Sequence, residues 1–350
     1  MILVVNAGSS SLKCAVFARD LARVAEAQVV EIGGSSAVIV NGARRAAALA
    51  DHGTALVAVL EALDLALDTL AGIAHRVVHG GAEMDGPRRI DATVRARIDA
   101  LGALAPLHNP VALACIDALA EMAPGVPQVA SFDTAFHAGQ EDVALRYALP
   151  DRWHAAGVRR YGFHGLSYAG LVSALDPLPR RLLACHLGNG ASICAIRNGR
   201  SVATSMGYSP VSGLTMGSRV GEIDANAVLR IAGEIGLDAA RRLLNNDSGL
   251  RALGGSSDMR SLPEGGLARR HFAHWAVRQA GGLVATMGGI DAIAFTGGIG
   301  ENDAAIREGI VAGLAFAGDV PVHVVPADEE GTIAREAAGI LGMTPGGAAH

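Results

Sequence analysis

The chain has 350 residues, half of them apolar, which is enough for a large buried core and points to two domains. Its net charge of −5, with arginines scattered in short pairs such as Arg159-Arg160 and Arg180-Arg181, excludes non-specific nucleic-acid binding, and 4% aromatics leave no stacking platform for single strands. Cys14, Cys115, Cys185 and Cys194 form no CxxC pair, so reduced core thiols in a cytoplasmic protein are expected, and no stretch reads as a signal peptide or membrane span.

In chain order, Ile2 to Val5 reads as a strand, Asn6-Ala7-Gly8-Ser9-Ser10-Ser11-Leu12-Lys13 as a polar turn, and Cys14 to Phe17 as a second strand. Lys13 is the only lysine beside 28 arginines. An ammonium suits a phosphate oxygen as a point charge, and the amides and hydroxyls of a Gly/Ser turn add donors. No Walker loop is present, because GxxxxGK[ST] is absent and a strand follows the turn. Helical periodicity covers His52 to Leu70, Val94 to Ala105, Ala225 to Leu244 and Ala268 to Met287. Prolines at 106, 110, 124 and 127 punctuate the region between the second and third of these, and Thr344 to His350 reads as a loose tail.

The strand–turn–strand pattern returns half a chain later. Leu182 to Leu187 reads as a strand, Gly188-Asn189-Gly190-Ala191-Ser192 as the turn, and Ile193 to Ile196 as the next strand. Two copies suggest duplicated domains, each offering a hairpin turn to one phosphate chain in a cleft. A third glycine turn, Thr296 to Asn302, follows the strand Asp291 to Phe295 and precedes a helix from Ala304 to Leu314. It is not the dinucleotide fingerprint, because GxGxxG is not met.

Polar side chains stand out in several apolar or glycine-rich runs. Arg76 in His75 to Gly81 reads either as a surface salt bridge or as a bidentate clamp for a small anion. Asp133 at the end of an apolar strand reads as a magnesium ligand or a helix cap. His164, among Tyr161, Gly162, Phe163 and Gly165, reads as a core or a catalytic histidine. Arg219 follows a glycine, and Asp258-Met259-Arg260 and Asp328-Glu329-Glu330 add further polar groups. With no GxSxG, HExxH or Cys/His ligand spacing, the inventory favours phosphoryl transfer, which needs charge neutralisation and alignment more than a covalent nucleophile.

Taken together, NAGSSSLK, HRVVHGG, LAPLHNP, FDTAFH, RYGFHG, HLGNGAS, SSDMR, FTGGIGEN and DEE, in this order from Asn6 to Glu330, resemble the acetate kinase family. The resemblance implies an α/β fold of two duplicated actin/hexokinase-like (ribonuclease H-like) domains with a central interdomain cleft. The expected N-terminal domain spans 1–137 with 331–350, and the C-terminal domain spans 138–330. It also implies reversible conversion of acetate and ATP to acetyl phosphate and ADP with Mg2+ or Mn2+, in a cytoplasmic homodimer without nucleic-acid or membrane partners.

The implied roles follow the matched positions. Ser9, Ser11 and Lys13 would meet ATP phosphates. So would His186, Leu187, Gly188, Asn189 and Gly190, while Asp258, Met259, Arg260, Gly298, Ile299, Gly300 and Asn302 would hold the adenosine. Arg76 would bind the acetate carboxylate, and Val78, Leu107, Phe163 and Pro210 would wall its methyl group. Asn6, Asp133 and Glu329 would serve the metal, and Asp133, His164, Arg219 and Asn6 would be catalytic. His108, His164 and Arg219 would stabilise the transition state.

The chain departs from the family pattern in shortened segments between Phe17 and His75 and before Val324. It also has VATSMG, SPVSG, MGSRVGEIDA and YGFHGLSY where members commonly read VDTSMG, TPLEG, MGTRSGDIDP and YGFHGTSH. The changes at Ala203, Ser212, Ala225 and Tyr168 lie around the matched residues and bear on loop packing, acyl selectivity and subunit contacts. Propionate or butyrate kinase activity is the nearest rival, because one methylene in an apolar pocket is worth only about 1–3 kcal/mol. More distant rivals are a silent nucleotide-binding sensor and a sugar kinase on the same scaffold.

Overall fold

The computed structural model describes residues 1–106 and 108–343. The chain divides into two compact units, one of Met1–Ala135 with the segment that begins at Asp328, the other of Phe136–Ala327.

The first unit is built on a sheet of eight strands: β1 (Ile2–Ala7), β2 (Leu12–Phe17), β3 (Arg23–Val30), β4 (Ala37–Val40), β5 (Ala43–Ala46), β6 (Gly72–Val77), β7 (Arg88–Arg89) and β8 (Gln128–Phe132). Their spatial order is β5-β4-β3-β2-β1-β6-β8-β7. β1 to β5 form an antiparallel meander, while β6 and β8 add parallel to β1. β1 is buried along its whole length, as its unbroken apolar run from Ile2 to Val5 requires of a central strand. Leu56, Val59 and Leu60 of the helix His52–Leu63 pack with Leu3, Val5 and Leu12 in one core. The helix Glu329–Ile340 returns to pack against β1, β6 and β8.

The second unit has five strands: β9 (Arg181–Leu187), β10 (Ala191–Arg197), β11 (Arg200–Thr204), β12 (Ala292–Thr296) and β13 (Val322–Val324), in the order β11-β10-β9-β12-β13. β9 to β11 are antiparallel, and β12 and β13 follow parallel to β9. This sequence of directions matches β3-β2-β1-β6-β8 strand for strand. The internal repeat seen in the sequence is therefore a duplicated sheet topology, with β1–turn–β2 and β9–turn–β10 in equivalent places. The fold class is the α/β duplication expected from the sequence.

Several element boundaries need correction. The first long helix stops at Leu63, because Asp64 takes the left-handed conformation (φ 48°), and a short 3-10 turn, Leu67–Thr69, follows. The second runs from Ala92 to Ala100, capped by Asp91, whose carboxylate accepts from the Val94 amide. The expected helix from 225 to 244 is two helices, Ala225–Ile235 and Leu237–Asn246, split where Gly236 has φ 85°. The third glycine turn is the short helix Gly297–Asn302 and not an open loop. The expected tail, 344–350, lies outside the described residues.

Candidate active site

In the first unit the parallel strands β1, β6 and β8 end on the same sheet edge, where ligands of α/β sheets sit. Their ends carry Asn6, Arg76 and, one residue past β8, Asp133. Asp133 receives Arg76 at both oxygens, Nε to Oδ1 at 3.0 Å and Nη2 to Oδ2 at 2.6 Å. Arg76 Nη1 donates to Asn6 Oδ1 at 3.1 Å, and Asn6 Nδ2 donates to Glu330 at 2.8 Å and to Glu329 at 3.5 Å. Glu329 also stands 3.9 Å from Arg76 Nε.

This geometry removes one of the two readings left open for each residue. Arg76 is not in a surface salt bridge, since its partner Asp133 is only 2% exposed. Asp133 caps no helix; its carboxylate is committed to the guanidinium. Burial raises the Asp133 carboxyl above the usual carboxylate range, and Arg76 offsets this only in part. Burial likewise works against the Arg76 charge, but Asp133 and Glu329 outweigh it and raise the guanidinium pKa. Three of the five N–H donors of Arg76 are used in these bonds, leaving part of the fork for a further anion.

The donor chemistry fits a hard divalent cation. Asp133, Glu329 and Glu330 set three carboxylates against two guanidiniums, Arg76 and, 3.9 Å from Glu330, Arg23, and all the atoms they offer a metal are oxygens. Among the described residues no three acidic, histidine or cysteine side chains are grouped as a metal cage. Magnesium uses one or two carboxylates when phosphates supply the remaining oxygens, so Asp133 and Glu329 with the Asn6 amide suffice in kind.

The other expected residues of this unit fall into place around that edge. Gly8 to Ser11 is a closed turn, Gly8 N donating to Ser11 O at 2.8 Å, and His52 Nε2 meets Gly8 O at 2.8 Å. Lys13 belongs to β2 and not to the turn itself. It pairs directly across from Asn6, so the two side chains share one face. Asp328 is a helix cap and a partner of Arg23, not a ligand candidate. Val78 is buried beyond β6, and His108 precedes the helix Asn109–Met122. Leu107 lies outside the described residues.

In the second unit four segments converge. Gly188 N donates to Gly190 O at 3.0 Å, closing the β9–β10 turn. A Cβ placed on Gly190 would lie 3.2 Å from His164 Nε2 and 3.3 Å from Arg219 Nη1, so both cationic or donor groups face this turn. The His164 and His186 rings stack at 4.2 Å. His164 Nδ1 is held by Ser192 Oγ at 2.8 Å and His186 Nδ1 by Ser167 Oγ at 2.8 Å, which turns each Nε2 outward. Arg219 donates to Pro210 O at 3.1 Å, and Phe163 is buried, its carbonyl meeting His137 Nε2 at 2.9 Å.

Beyond the turn a cleft of about 670 Å³ is lined by Gly188, Asn189, Ser257, Asp258, Met259, Arg260, Gly298, Ile299, Asn302 and Asp303. Gly297 lets the third glycine segment approach: its φ is 80°, and a Cβ there would lie 2.8 Å from the Leu187 carbonyl oxygen. Gly217 does the same for Asn189, whose Oδ1 a Cβ would meet at 1.9 Å. Gly300 is buried close to Cys185 and Leu187, at the end of β9. Asp258 and Arg260 pair at 2.7 Å on the cleft rim, and hydrogen bonds from Arg260 hold the Asp258 carboxyl down at about 2.

Ser192, Ser257 and Glu330 lie inside motifs singled out in the sequence but were given no role there, and Asp303 directly follows another. His52 enters through a tertiary contact, to Gly8 O, that no local pattern announces.

The model of the acetokinase family matches residues 1–335. The acetate kinase of Nitrobacter hamburgensis is 39% identical over 97% of this chain and 96% of its own length. The solved acetate kinase of Porphyromonas gingivalis superposes with a TM-score of 0.86 at 33% identity, covering 97% of this chain and 99% of that one. A propionate kinase from Francisella tularensis superposes with a TM-score of 0.89 at 31% identity, covering 96% and 98%.

Proposed function

The chain belongs to the acetokinase family, and on that premise we propose that it phosphorylates acetate with ATP, reversibly, to give acetyl phosphate and ADP. The observation that carries the chemistry is the meeting of His164, Arg219 and the Gly188–Gly190 turn at the mouth of the Asp258–Gly298 cleft. Phosphoryl transfer needs donors placed where charge develops, and these groups supply them.

The first unit supplies the acceptor side. The remaining donors of Arg76 take the acetate carboxylate, and the family resemblance assigns the methyl group to Val78 and Leu107 and, on the second unit, to Phe163 and Pro210. Acetate is already ionised at neutral pH, so no general base is required. Its oxygen attacks the γ-phosphorus as the bond from phosphorus to the ADP oxygen breaks, and no proton changes place. Asn6, Asp133 and Glu329 would hold a divalent cation, which we take to be Mg2+, with Mn2+ as a substitute. When bound, it neutralises phosphate charge. Ser9, Ser11, Lys13 and His186 orient the phosphates. Arg219, His164 and His108 stabilise the transferring group, while the cleft from Asn189 to Asn302 takes the adenosine.

We further propose a cytoplasmic homodimer with domain limits near 137 and 331. Among the described residues no helix is long and apolar enough to cross a membrane.

A second reading, propionate phosphorylation, is favoured by the Francisella tularensis likeness. Measuring kcat/KM for acetate, propionate and butyrate, with and without Mg2+, decides between them. Acetate highest supports the first reading, and propionate highest by tenfold or more replaces it (a preference of about 1.4 kcal/mol).

A further inference from the structure

Tyr168 is the site of a departure from the family pattern, where members commonly carry histidine. It sits in the helix Gly165–Ala174 and is fully buried, with Phe136 and His137 against its ring. Packing alone would be served as well by phenylalanine, which hides no hydroxyl. The hydroxyl has a specific partner: Tyr168 Oη lies 2.5 Å from Ser192 Oγ. The same Ser192 Oγ lies 2.8 Å from His164 Nδ1.

The direction of this chain of hydrogen bonds follows from counting protons. Burial keeps the Tyr168 phenol protonated, with its pKa well above 10. Each hydroxyl has one proton to give. If Tyr168 donates to Ser192, and Ser192 donates to His164 Nδ1, both protons are used. The reverse direction leaves the buried phenolic proton without an acceptor among the described residues, which is costly. With Nδ1 accepting, the imidazole proton sits on Nε2, the atom that faces Gly190.

We propose that Tyr168, acting through Ser192, is the positioning residue for His164, fixing it as an Nε2–H donor toward the phosphates. This rests on the functional reading above, in which His164 touches the transferring group. His186 and Arg219 flank the same imidazole, but neither is held by Ser192.

The test uses the whole enzyme. Tyr168→Phe keeps the ring and removes the hydroxyl. It should lower kcat about tenfold while leaving both KM values within about twofold, since the interaction acts on the transition state. Tyr168→His, the residue common in the family, should recover most of the loss. In a His164→Ala background, adding Tyr168→Phe should change kcat by less than about twofold, because both act through one group.

A full drop in that background, or none in the wild-type background, overturns the proposal. Should Tyr168→Phe fold poorly, Ser192→Ala in the same two backgrounds makes the same comparison. An independent readout is the 15N shift of His164, assigned by its loss in His164→Ala. Wild type should show the Nε2–H tautomer and Tyr168→Phe a mixture, and a wild-type Nδ1–H signal contradicts the proposal. If wild type makes no acyl phosphate, the functional reading fails instead, and the 15N measurement still judges the hydrogen-bond chain.

Discussion

The β1–β2 and β9–β10 hairpins occupy equivalent places in two sheets of the same topology, yet their surroundings carry opposite chemistry. Around the first, the carboxylates of Asp133, Glu329 and Glu330 outnumber the guanidiniums of Arg76 and Arg23, and Asn6 bridges Arg76 to the glutamates. Around the second, two stacked imidazoles and Arg219 face a turn of bare backbone. A duplicated scaffold has kept its strand order and changed its end-of-strand side chains. One edge suits a cation and a small carboxylate, the other a polyphosphate. Each substitution that follows should therefore act on one side of the reaction.

The largest effect should come from the second edge. Arg219→Ala is expected to lower kcat by about 10³-fold, in the range seen when an arginine that stabilises phosphoryl transfer is removed, with KM values changed far less. Steady-state kinetics check this, and a change confined to the KM for acetate would move Arg219 to the other side.

Next, Arg76→Ala should raise the KM for acetate about 100-fold. It should also destabilise the first unit by about 3–5 kcal/mol, since Asp133 is left buried and unpaired. Denaturant unfolding separates the two effects. Recovery of stability, but not of acetate affinity, in Arg76→Ala with Asp133→Ala would confirm the division.

Acid should distinguish the units without any mutation. Burial lowers His75 and His79 in the first unit, and His137 in the second, to about 4. A buried neutral histidine binds its proton more readily when unfolded, near pH 6.5. The stability it contributes is present above pH 6.5 and lost as pH falls toward 4, by up to about 3 kcal/mol per histidine. The second unit also holds His271, lowered by burial, so two histidines near 4 stand against one with His271 beside it, and the first unit should lose hydrogen-exchange protection more steeply between pH 6.5 and 4. Equal slopes would contradict the assignment.

Smaller still is Gly297→Ala, which forces a Cβ against Leu187 at a left-handed position. It should cost about 1–3 kcal/mol and raise the KM for ATP without touching that for acetate. Smallest is Asp258→Ala on the exposed rim, expected to weaken ATP binding a few-fold and leave the melting temperature unchanged.

The two hairpins also show what a sequence can reveal. Apolar runs flanking Gly/Asn/Ser turns announced β1, β2, β9 and β10, because a central strand must be apolar and its turn must not. Arg76 and Asp133 stand out locally as a possible anion clamp and metal ligand, but only the family resemblance joins them to Asn6 and Glu329, since nothing local says that residues 6, 76 and 133 end neighbouring strands. Asp64 and Gly236 ended helices that periodicity carried further, because periodicity reports a face and is blind to a single left-handed residue. The link from Tyr168 through Ser192 to His164 was invisible, since its members are 24 and 28 residues apart. In the sequence Tyr168 bears on loop packing, acyl selectivity and subunit contacts; the structure ties it to an imidazole.

The most direct trial of the whole account is ³¹P NMR of the enzyme with ATP, acetate and Mg2+. Acetyl phosphate and ADP should appear one for one from ATP until the equilibrium, which the higher-energy acyl phosphate holds toward ATP, is reached, and omitting acetate should stop ATP consumption. ATP hydrolysed to inorganic phosphate at the same rate with or without acetate would contradict it.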